Sequence, residues 1–202
     1  CYKEEIEANL RTLGLAGFQL LDLHDYVGQG TALVGVLDAF WEEKGYIDAK
    51  QWRRFCNTTV PLALMQQRVF TSDDAFDVEV KIAHYGQSPM NDIEVYWRIE
   101  GRQGRVFQSG TWPVEHLPLG SAIPLGRVQA DLSNLLAPGA YKLVVGVSNT
   151  AFENDWDFWL YPSEVPVRTS SVKVSRSFDE TLEALGKGET VLFIPLHTQL
   201  RW

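Results

Sequence analysis

The 202-residue chain is expected to be mainly β with α/β flanks. Three observations predict this. Apolar and polar residues alternate with a period of two across the middle of the chain. A short apolar run at residues 17–23 ends abruptly in carboxylates, an imidazole and glycines, as the strands of a parallel α/β barrel do at their carboxyl ends. A strand–helix–strand pattern follows the alternating region. The expected organisation is therefore residues 1–58 as the C-terminal end of a (β/α)8 barrel and 59–166 as an immunoglobulin-like antiparallel β-sandwich. Residues 167–202 then begin an α/β module that has no room to close.

Residues 2–13 place Ile6, Leu10 and Leu13 on one helical stripe, with Lys3, Glu4, Glu5, Glu7 and Arg11 elsewhere. The three glutamates read as a solvated outer face. Gly14 and Gly17 bracket the helix end and lead to Phe18–Leu23, whose length suits a strand buried on both faces. Residues 31–40 are compatible with a short helix or with an extended segment. Asp48-x-x-Gln51 resembles a capping box, and Trp52, Phe55 and Cys56 share the face of the helix it opens.

From Val60 the period is two. Phe76, Val78, Val80 and Ile82 alternate with polar neighbours, as do Ile93, Val95, Trp97 and Ile99, and then Tyr141, Leu143, Val145 and Val147. Turn residues separate these runs at Ser72–Asp74, Gly86–Pro89, Gly101–Gly104 and Ala137–Gly139. Regular short strands with such turns define a sandwich. In Asp155-Trp-Asp-Phe-Trp159, a glycan-binding Trp pair is weighed against core packing, and the alternation of Trp156, Phe158 and Leu160 favours the core. Near the end, Ser177-Phe-Asp-Glu180 reads as a second capping box. It precedes a helix with Phe178, Leu182 and Leu185 on one face, between strands at 172–174 and 190–194.

Composition narrows the function. Hydrophobic residues at 45% and aromatic residues at 12% predict a folded protein. A net charge of -8 without basic clusters argues against nucleic acid and against an anionic membrane surface. No apolar run approaches the roughly 20 residues that span a bilayer. Cys1 and Cys56 lack metal-ligand spacing, as do the scattered His84, His116 and His197, so no metal or other cofactor is expected. Cys56 reads as a small buried hydrophobe. Cys1 could be the lipidated residue of a lipoprotein, but the amphipathic helix directly after it favours a chain excised from a larger enzyme. The glycines at 28, 30 and 35 match neither a phosphate loop nor a dinucleotide fingerprint. Asn57-Thr-Thr59 fits a glycosylation acceptor, of consequence only in a eukaryotic secretory setting.

The stretch Gly17-Phe18, Asp22-Leu-His-Asp25, Gly28-Gln-Gly-Thr-Ala32 and Leu37-Asp-Ala-Phe-Trp41 resembles the last barrel strand and loop of bacterial glycoside hydrolase family 2, the β-galactosidase and β-glucuronidase clan. The preceding Tyr2–Leu10 is similar to the helix before that strand. The resemblance is specific over residues 2–64 and generic over the sandwich. It implies a bacterial periplasmic or extracellular enzyme that hydrolyses glycosides with retention, using two glutamates roughly 5–5.5 Å apart. Both would lie upstream of Cys1, so the chain is expected to supply no catalytic residue and to be inactive alone. Asp22, His24, Asp25 and Gln29 are candidates for hydrogen bonding to sugar hydroxyls, the alternative being that they cap loop amides. Trp41 is a candidate stacking platform, with packing as the alternative. Carbohydrate, met through the parent enzyme, is the expected partner. Self-association of the chain is expected because an unpaired barrel segment would expose apolar faces. A non-catalytic carbohydrate-binding or scaffold β-sandwich module is the first competing reading, and a free-standing interaction domain with no carbohydrate role is the second.

Overall fold

The computed structural model describes residues 2–15, 17–28, 30, 33–165 and 171–196. It divides into two compact units, Cys1–Ser163 and Glu164–Trp202.

In the first unit the alternating runs become strands: β1 (Thr59–Leu64), β2 (Val69–Thr71), β3 (Phe76–His84), β4 (Met90–Glu100), β5 (Val106–Leu117), β6 (Gly120–Ala130), β7 (Gly139–Val147) and β8 (Glu153–Tyr161). They form a three-stranded sheet, β1-β3-β6, and a five-stranded sheet, β2-β8-β7-β4-β5. All pairings are antiparallel except β2 with β8. β5 closes one sheet and β6 the other, joined through Pro118 and Leu119.

Phe76, Val78, Val80 and Ile82 from one sheet meet Val95, Ile99, Leu143, Val145, Trp156, Phe158 and Leu160 from the other in a single buried cluster. Each strand turns every second side chain inward, so the period-two pattern specifies this core directly. The Tyr141 hydroxyl donates to Leu136 O at 2.7 Å, tying the start of β7 to the preceding turn as a tyrosine corner does in immunoglobulin-like sandwiches.

The helix α1 (Tyr2–Arg11) lies on the three-stranded sheet. Its Ile6 and Leu10 join Phe55, Val60, Leu62 and Ala83 in a second core. Cys56 packs at the edge of that core, where burial pushes its thiol up; Cys1 lies outside the described residues. The helix α2 (Ala49–Trp52) is short and opens on a complete capping box: Gln51 N donates to Asp48 Oδ1 at 2.7 Å, and Asp48 N to Gln51 Oε1 at 3.0 Å.

In this first unit the expectations for residues 17–23 and for Glu7 need correction. Residues 17–23 form no strand; Phe18 is 40% and Leu21 80% exposed, and Asp22 takes a φ of 59°. A strand buried on both faces needs a hydrogen-bonding neighbour at each edge and cover above and below. The described residues offer this segment only an isolated bridge from His24 to Leu37, and no barrel part is evident among them. The reading of Glu7 as part of a solvated face is also overturned, since its side chain is fully buried. Glu4 and Glu5 are exposed as expected.

The second unit pairs β9 (Lys173–Ser175) and β10 (Val191–Phe193) in parallel, with α3 (Phe178–Gly186) between them in sequence. The Ser177 hydroxyl accepts from Glu180 N. The Glu180 carboxylate accepts from the Ser175 hydroxyl at 3.2 Å rather than from the cap backbone, so the expected box is half formed. Thr181 and Ala184 are the buried positions of α3, while Phe178, Leu182 and Leu185 stay largely exposed. Two three-residue strands are too small to cover that stripe.

Candidate functional site

The loop between α1 and α2 holds most of the site candidates. Its frame is a set of main-chain and side-chain bonds that bring residues 23–25 alongside 34–37. Asp25 N donates to Leu37 O at 3.0 Å, and Leu37 N to Leu23 O at 3.1 Å. Tyr2 donates to Val34 O at 2.7 Å, and Tyr46 to Gly35 O at 2.9 Å. The approach is close enough that a Cβ on Gly35 would lie 2.4 Å from the His24 carbonyl carbon, so this position tolerates only glycine.

Within this frame the candidates separate. His24 and Trp41 come together as stacked rings, with centroids 4.4 Å apart and planes at 21°. Trp41 is nevertheless 61% exposed, so the indole face turned away from His24 is open to solvent. Its position follows from an Asx-type turn: Asp38 Oδ1 accepts from Phe40 N at 2.8 Å and Glu42 N at 2.9 Å, and Trp41 N donates to Asp38 O at 3.1 Å. Trp41 itself has a φ of 70°.

Asp25 is buried and serves the loop. Its Oδ1 accepts from Lys44 Nζ at 2.6 Å and Gly35 N at 3.0 Å. Among the described residues no hydrogen bond joins Asp22 to His24, Asp25 or Trp41. Gln29 lies outside the described residues. Asp38, Gly35 and Lys44 complete the arrangement without having been singled out for it. The available signal was an aspartate two residues before the Phe40-Trp41 pair, a residue type that favours an Asx turn.

A second polar constellation joins α1, the turn after α2 and β8. The Glu7 carboxylate accepts from Asn154 Nδ2 at 2.7 Å and Trp156 Nε1 at 2.9 Å. Lys3 and Arg11, one helical turn either side, stand 3.4 and 3.6 Å from it. Lys3 Nζ also donates to Asn154 Oδ1 at 2.6 Å and lies 5.2 Å from the Trp156 ring centroid. Burial pushes the Lys3 ammonium down, with Glu7 and Asp155 opposing it.

Alongside runs a ladder of charges. Arg54 reaches Glu153 at 3.1 Å and Asp155 at 2.9 Å; Arg98 pairs with Glu100 and Glu153, and Lys142 with Asp155. Burial raises the carboxyls of Glu153 and Asp155, but hydrogen bonds outweigh it and hold both below the usual range. These bonds come from Tyr96 and Arg98 to Glu153, and from Lys142 to Asp155, where Lys3 and Arg54 add their charge. A general acid needs the opposite shift. These carboxylates are structural anions.

The histidines are likewise engaged. His84 is buried, with Nδ1 2.7 Å from the Thr59 hydroxyl and Nε2 2.9 Å from Ser88 O. His116 Nδ1 lies 2.7 Å from Asn91 Oδ1, and His197 is outside the described residues. Among the described residues no cluster of His, Cys, Asp or Glu is placed to hold a metal ion.

Residues 74–162, which run from just before β3 through β8, match the Domain of unknown function (DUF8488). No curated protein matches. Solved structures show weak and partial likenesses. The CARDB domain of a Pyrococcus furiosus protein, described in complex with di-metal ions, is 12% identical over 51% of this chain and 85% of that one, with a TM-score of 0.37. A Parabacteroides merdae beta-glucuronidase is 17% identical over 52% of this chain, with a TM-score of 0.35, and only 14% of that enzyme is covered. A family 123 glycoside hydrolase from Clostridium perfringens is 10% identical over 52% of this chain and 25% of that one, with a TM-score of 0.32. Glycoside hydrolases are thus among the weak likenesses, and similarity of this degree carries no functional argument.

Proposed function

We propose that this chain is an accessory, non-catalytic part of a glycoside hydrolase that resembles family 2. In this reading a retaining pair of glutamates resides elsewhere in the parent, and residues 17–47 contribute to the rim of its sugar site. The observation that carries the reading is the His24–Trp41 stack. It presents an open indole face and a polar ring edge within the same stretch whose residues resemble the closing strand and loop of that family. A planar apolar face beside hydrogen-bonding groups suits a pyranose, which has apolar C–H faces and an equatorial rim of hydroxyls. Asp25 and Lys44 act behind the pair by fixing the loop. Asp22 remains a candidate for contact with a sugar hydroxyl, and so does Gln29.

The chain alone should not turn over nitrophenyl glycosides, because in this reading the catalytic glutamates lie elsewhere in the parent and the carboxylates of Glu153 and Asp155 are held as charge-paired anions. In the intact parent, Trp41→Ala should raise KM about tenfold, the loss of roughly 1.4 kcal/mol of binding, with kcat little changed. Two results would defeat the proposal: turnover by the isolated chain, or a parent reading frame without two glutamates at the ends of barrel strands.

A further inference from the structure

The outer face of β8 carries Glu153, Asp155, Asp157, Trp159 and Tyr161, because the intervening Trp156, Phe158 and Leu160 fill the core. Arg54 lays the segment after α2 across this face by pairing with Glu153 and Asp155. Beside it, toward the end of β8, lies an open cleft of about 520 Å³ whose lining includes Trp159, Tyr46, Gln51, Arg68, Lys142 and Asp157. We propose that this cleft binds a neutral oligosaccharide, with Trp159 as its stacking platform.

Three observations converge on that ligand class. First, the indole is displayed by rigid backbone. Trp159 pairs with Ala140 on one side and Val69 on the other, and its main-chain N–H donates to Arg68 O at 2.8 Å, yet the residue is 44% exposed. A large apolar ring left open on a central strand offers area to a ligand at little ordering cost. Second, the charges of the lining are already matched. Lys142 pairs with Asp155 and, at 3.6 Å, with Asp157; Arg68 pairs with Glu4 at 3.0 Å; Arg54 and Lys3 both reach Asp155. The cleft therefore presents many donors and acceptors but little net field. That favours a ligand whose hydroxyls both donate and accept over an ionic one. Third, its volume falls in the range of small-molecule sites, roughly 300–1,000 Å³. The cleft sits between the outer face of β8 and residues 46–55, and neither His24 nor Trp41 is among its lining residues.

The test is calorimetric titration of the chain with cellohexaose, xylohexaose, mannohexaose, laminarihexaose and hexa-N-acetylchitohexaose, with polygalacturonate as the charged probe. At least one neutral hexasaccharide should bind more tightly than about 1 mM. Trp159→Ala should weaken that binding about tenfold or more, Trp159→Phe should weaken it less, and Phe178→Ala, which removes an exposed ring that is not among the cleft's lining residues, should leave it unchanged. Circular dichroism of each variant confirms the fold. The proposal is overturned if no neutral probe binds, if polygalacturonate alone binds, or if binding survives Trp159→Ala. A parent lacking catalytic glutamates would defeat the hydrolase reading and leave this titration unaffected.

Discussion

Glu7 offers the sharpest test of how the helix is held to the sandwich. Its carboxylate is fully buried and accepts from Asn154 at 2.7 Å and Trp156 at 2.9 Å, both on β8. Glu7→Ala would strand those two donors, each costing about 1–3 kcal/mol when left buried and unpaired. Lys3 and Arg11, whose side chains are each 26% exposed, can turn partly to water and soften the loss. The net expectation is about 3–5 kcal/mol, the usual cost of breaking a buried charge pair. At about 2–4 °C per kcal/mol for a domain of this size, the melting temperature should fall by roughly 6–20 °C. Near-UV circular dichroism is the assay, since Trp156 lies at the point of change. Glu7→Gln keeps one acceptor and should lose about half as much. A cycle with Asn154→Ala should show coupling of about 0.5–3 kcal/mol. A Glu7→Ala protein within about 0.5 kcal/mol of the parent chain would refute the reasoning, because surface changes have effects of that size.

Arg54→Met should free the segment after α2, seen as faster trypsin cleavage at Lys50 and Arg53; an unchanged digestion rate would mean the ion pairs are idle. Glu153 and Asp155 have folded values below their unfolded ones, so their contribution is present above the ordinary carboxylate range and is lost as pH falls through it. The melting temperature should therefore stay level from pH 7 to about 5 and fall below about pH 4; a principal loss between pH 6 and 8 would contradict the assignment. Gly35→Ala forces a methyl group into the His24 backbone. It should part the loop from residues 23–25 and change Trp41 fluorescence while the sandwich melts within a few degrees of the parent, whereas an unaltered Trp41 signal would show that the close approach is not needed.

The sandwich was legible because its cause is local. Phe76, Val78, Val80 and Ile82 announce an inward face without reference to any other residue, and Trp156, Phe158 and Leu160 do the same. Asp48 and Gln51 form their capping box within four residues, so it too could be read directly. Residues 17–23 failed for the opposite reason. An apolar run says that a segment favours burial, while becoming a strand depends on neighbours that the run cannot specify. Glu7 was hidden because its partners are 147 and 149 residues away in sequence. Its signature was visible only as Lys3 and Arg11 at helical spacing on either side, beside the Ile6 and Leu10 stripe. The His24–Trp41 stack likewise depends on a turn at Asp38 that brings distant rings together. Trp159 was named with Trp156, and strand alternation, which sent one inward, necessarily sent the other out.

The two closing strands of the sandwich, β5 and β6, also govern how copies of this unit could meet. Each carries a proline, Pro113 and Pro124, at a place where an incoming chain would look for an amide hydrogen. The pairing of β3 with β6 shifts register beside Pro124, between Val80 and Lys81, which bends the rim further from a flat template. Ribbon-like growth by adding strands is thereby discouraged along that flank. Attachment to other molecules is left to the broad surfaces, such as the outer face of β8 where the rings of Trp159 and Tyr161 are exposed.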